Sequence, residues 1–183
     1  MPSENKLKPT SDINFRGMVG WYKFKDLFKN LGKRIEKIPL KEGMAVVDYG
    51  CGPGRYAIPI AHLVGEKGKV FALDIHPMAI NMTKEKVAEE GLSNVEPVLL
   101  DSYDTGIKEA SVDLVILLDT LHDISDHAAL FQEIHRILKP DGILFMDPGH
   151  MKLERAREIV ESSDLFTIVE CRGQDMLVAP KTE

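Results

Sequence analysis

Five short apolar runs divide the chain, and each runs out into an aspartate. Residues 44–49 contain Asp48, and 70–73, 95–100, 112–118 and 143–146 are followed by Asp74, Asp101, Asp119 and Asp147. Runs this short and this apolar suit strands buried on both faces. The intervening segments have helical spacing over residues 55–64, from Pro77 to Gly91, and over 151–162. A fourth carries Leu130, Phe131, Ile134, Ile137 and Leu138 on one face, and Lys139-Pro140-Asp141-Gly142 follows it as a turn. Pro77 suits the first helical position and Gly91 the end. Strands that alternate with helices call for right-handed crossovers and a parallel sheet covered on both sides. Residues 165–170 and 175–179, around Arg172-Gly173-Gln174, add an antiparallel hairpin. The expectation is one α/β domain with seven strands, mostly parallel, the last antiparallel.

In that arrangement the five aspartates lie along the carboxyl edge of the sheet, where open α/β sheets bind ligands at the switch point of strand order. The first of them leads into the most informative stretch, Val46-Val47-Asp48-Tyr49-Gly50-Cys51-Gly52-Pro53-Gly54. Glycines at alternate positions allow a tight turn and let the backbone approach a ligand closely. A pyrophosphate would be repelled by Asp48, because anion-binding loops rely on bare N–H groups at a helix N-terminus. The third glycine of a dinucleotide fingerprint would fall at Arg55. Both points disfavour a nucleotide-dependent oxidoreductase and favour a small ligand carrying a positive amine near Asp48. Cys51 reads as a small space-filler, since no base adjoins it in sequence.

With Asp48, Gly50, Gly52 and Gly54 all in place, the loop resembles motif I of the class I S-adenosylmethionine-dependent methyltransferases, Asp-x-Gly-x-Gly-x-Gly, and the likeness extends over about residues 40–180. The resemblance is to the small-molecule kind, similar to the ubiquinone/menaquinone-type methyltransferase domain. It implies a Rossmann-like, doubly wound sheet, S-adenosyl-L-methionine as cofactor, and in-line methyl transfer to a small-molecule acceptor. Asp48, Gly50, Cys51, Gly52 and Gly54 would surround the methionine half of the cofactor. Asp74, 20 residues after Gly54, would take two ribose hydroxyls. Ile75 would pack on adenine, Asp101 with Ser102 would read its exocyclic amine, Val47 and Leu121 would be apolar walls, and Asp119 would line the junction with the acceptor. His122, with His150 as second candidate, could take a proton from the acceptor. Asp119 and Asp147 also resemble the metal-binding acids of catechol-type O-methyltransferases, but Pro148 stands where those enzymes carry Asn, so no metal is expected. Asp147-Pro148 follows the fifth strand, not the fourth, which separates it from the Asp-Pro-Pro-Tyr motif of adenine-N6 methyltransferases. The residues leave open a module that holds the cofactor or its product without transfer.

Residues 1–42 carry ten Lys or Arg and five Asp or Glu, against thirteen and twenty-four in the rest of a chain of net charge −6. An acidic body makes nucleic acid an improbable partner. The first dozen residues are polar and expected to fray. Phe24, Leu27, Phe28, Leu31 and Ile35 then share one helical face, with Gly32 weakening the helix and Pro39 ending it. Phe15, Met18, Trp21 and Tyr22 add to an aromatic segment 1–40, expected to form a lid over the domain 41–183. Tyr22 or Arg16 would reach the cofactor carboxylate or the acceptor. Two cysteines give neither a disulfide framework nor a zinc set. The N-terminus lacks an apolar signal core and no apolar run reaches 18 residues, so the expectation is a cytoplasmic monomer or homodimer without a membrane span.

Overall fold

The computed structural model describes residues 7–17, 19–20 and 31–182. Seven strands form one sheet in the order β3-β2-β1-β4-β5-β7-β6. They are β1 (Ala45–Tyr49), β2 (Lys69–Asp74), β3 (Val95–Leu99), β4 (Val112–Leu117), β5 (Leu138–Met146), β6 (Phe166–Arg172) and β7 (Asp175–Pro180). All neighbouring pairs are parallel except those made by β7, which is antiparallel to both β5 and β6. Five helices follow in chain order: α1 (Leu31–Ile35), α2 (Ala57–Val64), α3 (Pro77–Glu89), α4 (His127–Ile137) and α5 (Leu153–Ser162). Residues 12–17 and 19–20 are also helical. The expected α/β architecture and the antiparallel seventh strand are borne out. Within the closing hairpin β6 takes the edge, and β7 inserts between β5 and β6.

Strand pleating distributes one apolar run to two cores. Val47, Val115, Leu117, Leu144 and Met146 face one cluster with residues of α4 and α5. Their neighbours Val46, Leu114, Ile116 and Phe145 face the other with residues of α2 and Ile80 of α3. Successive strand side chains point to opposite faces, so a strand covered on both sides must be apolar at every position. A third, small cluster joins Phe15 and Val19 to Ala79, Met78 and Met82, seating the N-terminal helical residues on the start of α3.

Several boundaries differ from expectation. α2 starts at Ala57, because residues 50–56 all serve the turn after β1. Leu138 begins β5 instead of ending α4, and 139–142 belong to β5 as an irregularity: Val112 pairs with Leu138, but Leu114 pairs with Ile143. Lys139 Nζ reaches Asp113 there, which fixes the bulge to β4. Leu7, within the stretch expected to fray, is held: its N–H donates to the Asp101 carbonyl at 3.1 Å and its side chain packs on the core. Of the expected lid helix, Leu31 and Ile35 lie in α1, while Met18, Trp21, Tyr22, Phe24, Leu27 and Phe28 lie outside the described residues.

The end of β5 and the start of β7 are tied to α1 by charge. Arg34 donates to Asp147 Oδ2 at 2.7 Å and to Asp175 Oδ1, and Lys37 lies 3.4 Å from Asp175 Oδ2. Its guanidinium also lies 5.6 Å from the Phe145 ring centroid. Asp175 is only 2% exposed. Removing one partner of such a pair strands a buried charge. Arg34→Met should therefore cost about 3 kcal/mol in urea denaturation, at the low end of the buried-pair range because Lys37 remains. Adding Asp175→Asn should recover most of that loss.

Candidate functional site

The chain runs from β1 outward through β2 and β3, then returns across β1 to β4. That reversal opens a crevice at the carboxyl ends of β1 and β4. A cavity of about 260 Å³ lies there, lined by residues 49–53 of the glycine turn, by Asp74, Ile75 and His76 after β2, and by Leu118, Asp119 and Thr120 after β4. Lys8, Thr10 and Phe15 close it from the N-terminal side, and Arg55, Tyr56, Leu100, Asp123 and Ile124 complete the lining.

Asp74 organises the near wall. Its Oδ2 accepts from the Gly52 N–H and its Oδ1 from the His76 N–H, both at 2.8 Å. Burial raises its pKa above the usual carboxylate range, and these amides offset part of that rise. A carboxylate offers about four acceptor positions, so Asp74 keeps acceptor capacity on the cavity wall beyond its amide bonds. Gly52 has φ +53 and nothing within 4 Å of where a Cβ would stand, so the backbone here borders open space. Gly50, φ +81, is required for a different reason: a Cβ would come 2.4 Å from Thr120 Oγ1. Gly54, φ +73, does not line the cavity; it packs on Thr83 of α3.

Asp48 sits behind the turn, not on the cavity wall, and is 2% exposed. Its Oδ2 is buried with no hydrogen-bond partner among the described residues. Burial first, and the nearby Asp74 charge second, raise its carboxyl to about 7, against one opposing hydrogen bond from the Ala57 amide. The turn therefore holds a buried acid that gains from a neighbouring cation. Cys51 is buried and its thiol is pushed well up by burial and by Asp48 and Asp74, in keeping with a space-filler.

The remaining candidates divide. Ile75 and Asp119 line the cavity. Asp101 is exposed and neither it nor Ser102 lines the cavity, where Leu100 takes that wall instead. Leu121 is fully buried in the core beneath, and Leu118 is the apolar lining from the same stretch. Arg16 is described but exposed, and Tyr22 lies outside the described residues. Among the described residues no group of three or more His, Cys, Asp or Glu could hold a metal ion. Asp147 is already committed, accepting from the Asp119 N–H and the Gly149 N–H as well as from Arg34.

His122 and His150 meet edge to face, 4.7 Å between ring centroids, and line neither this cavity nor its neighbour. Gly149, φ +59, lies so close that a Cβ would come 2.2 Å from His122 Nδ1. The two imidazoles thus lock the segment after β4 against the one after β5. Phe15 belongs to the N-terminal segment expected as a lid, but its partner His76 was not foreseen. Phe15 stacks on His76 at 4.1 Å and 22°, and Asp12 Oδ1 lies 3.6 Å from His76 Nε2. His76 Nδ1 meanwhile accepts from Met78 N–H and caps α3. The signal was present in Phe15 and in the His76-Pro77 start of the helix, but nothing in the sequence paired them.

A second cavity of about 270 Å³ adjoins the first and shares Arg55, Tyr56 and Asp119 with it. Asp119 has φ +54, a conformation that non-glycine residues other than Asn and Asp rarely adopt.

A family model described as a methyltransferase domain matches residues 40–175. The demethylmenaquinone methyltransferase of Geobacillus stearothermophilus is 29% identical over 133 residues, covering 73% of this chain and 53% of that protein. The Lactococcus lactis protein of that name is 26% identical over 153 residues, covering 83% and 60%. The chain thus spans little more than half the length of these curated relatives. A solved S-adenosylmethionine-dependent methyltransferase from Aquifex aeolicus superposes with TM-score 0.72 at 27% identity, over 82% of this chain and 87% of that one. The [4+2]-cyclase SpnF shares the fold at TM-score 0.65 and 21% identity, over 76% and 57%.

In the protein without ligand, the buried Asp48 weakens the fold as pH rises. Between about 4 and 7 the folded state keeps a proton that the unfolded chain has released, so stability declines across that window and the full penalty stands above 7. Asp48→Asn should therefore raise stability at pH 8 by roughly 2–4 kcal/mol and leave it nearly unchanged at pH 4, read by denaturant titration at both values.

Proposed function

The chain belongs to the methyltransferase-domain family, and from that premise we propose that it transfers the methyl group of S-adenosyl-L-methionine to a small-molecule acceptor. The observation that carries this reading is the pairing of Asp48 and Asp74 around the glycine turn. One is a buried acid with an unpartnered oxygen, and the other is a carboxylate on the cavity wall that holds the Gly52 amide. An amino acid bearing an ammonium, joined to a ribose, meets both demands. The family fold alone would not suffice, since a cyclase shares it.

In this reading Asp74 accepts from the ribose hydroxyls with the lone pairs its amide bonds leave. Ile75, Leu100 and Ile124 supply apolar faces for a flat base, and Phe15 on His76 closes the opposite side. The turn from Gly50 to Gly52 borders the amino-acid half, with the Asp48 charge behind it offsetting an ammonium. When bound, the cofactor supplies a carbon already activated by its sulfonium. The protein's part is to align the acceptor, exclude water and take up a proton where the acceptor loses one. Asp119, shared by both cavities, stands where that proton would leave. His122 and His150 support the surrounding loops. In the same reading residues 1–40 serve as the lid and 41–183 as the binding domain, and the curated relatives' names support methyl transfer.

Calorimetric titration with S-adenosylhomocysteine tests this. Asp74→Ala should lose about 2 kcal/mol or more of affinity, because hydrogen bonds to a charged acceptor are worth about 1.5–3 kcal/mol each. Unchanged affinity would place the ribose elsewhere. Phe15→Ala, which removes the stack on His76 without touching the glycine turn, should speed release of the same ligand several-fold in stopped-flow chase measurements. An unaltered release rate would show that residues 7–20 do not cover the crevice.

A further inference from the structure

Resting on that reading, the geometry points to the second cavity as the acceptor's binding site and to a small, polar acceptor that presents an O–H or N–H, not a lipophilic quinol. The cavity opens beside the cofactor crevice and shares Asp119, Arg55 and Tyr56 with it, so whatever occupies it meets the contents of the crevice at those three residues. Among the described residues its other walls are Arg34, Asp147, Gly149, Gln174 and Asp175, with Leu31 and Pro148 as the apolar portions. Seating an apolar ring system against this lining would desolvate charges and amides without replacing their hydrogen bonds, which is unfavourable. A polar molecule replaces them.

The lining is also built to stay polar. Arg34 is held by Asp147 and Asp175 at once, and Asp147 passes that constraint on by accepting the Asp119 and Gly149 amides, each at 2.9 Å. Asp119 is thereby fixed in its left-handed conformation at the junction, with φ +54. Strained residues of this kind persist where surrounding contacts over-determine them. In transfer to such an acceptor, the lone pair on its oxygen or nitrogen forms the bond to the methyl carbon. The carbon–sulfur bond breaks with its electron pair left on sulfur, and the acceptor's proton passes to the Asp119 carboxylate and on to solvent. The curated relatives carry a quinone precursor in their names; this chain's lining selects against that chemistry.

The experiment uses the full chain saturated with S-adenosylhomocysteine, followed by amide chemical shifts at Gly149 and at the Gln174 side chain. Ethanolamine and catechol serve as polar probes and menadiol as the lipophilic one. Ethanolamine or catechol should shift both signals, and Gln174→Leu, at an exposed turn, should weaken that probe at least fivefold while leaving adenosylhomocysteine affinity within twofold. Asp119→Asn, which tolerates the same backbone, should also weaken the probe. Menadiol binding more tightly at these signals, polar probes that move neither, or probe affinity unchanged in both variants would each overturn the inference while leaving the cofactor reading intact. Failure of adenosylhomocysteine to bind would overturn both.

Discussion

The Asp74 carboxylate, caught between two backbone amides, is the interaction on which the site's architecture depends. One oxygen fixes Gly52 and the other fixes His76, at the foot of α3. The glycine turn after β1 and the helix start after β2 therefore cannot move independently. Gly52 can be held this way only because its backbone accepts a positive φ without strain. His76, fixed in its turn, caps α3 and offers its ring face to Phe15. Through a single acid, the ligand-facing turn is coupled to the wall supplied by residues far away in sequence.

Most of the sheet and the near half of the site were legible from the residues. Apolar runs ending in acids located every parallel strand of the first five, and the glycine spacing located the turn. Asp48 and Asp74 could be named because their types and positions match one motif. What stayed hidden is what the sequence writes only in three dimensions. Asp101 sits at a strand end as expected, yet β3 is an edge strand whose last residues face solvent, so Leu100 and not the acid reaches the cavity. Arg34 carried no local signal, because its two partners lie 113 and 141 residues away. The bulge at 139–142 reads as a turn from Pro140 and Gly142, and only pairing with β4 turns it into strand.

Asp48 shows a site working against its own fold. An acid with an unpartnered buried oxygen destabilises the protein at neutral pH, and in the proposed reading the cofactor's ammonium would offset that penalty. This is the reverse of the arrangement at Asp175, which is equally buried but met by Arg34 and Lys37. Two aspartates with 2% exposure thus serve opposite ends: one closes the sheet onto α1, and the other is left uncompensated beside the glycine turn.

The Arg34 cluster connects these two themes. Asp147 receives the Arg34 guanidinium on one oxygen and holds two amides at the mouth of the second cavity with the other. Neutralising Asp147 with a hydrophobic residue would free the Asp119 amide, and the left-handed backbone there would relax toward ordinary strand geometry. The shape of the junction between the two cavities is therefore set by a charge network spanning α1, the end of β5 and the start of β7. The Arg34 network and the Asp74 bonds thus fix the two cavities through separate sets of contacts, so a change in one lining need not disturb the other.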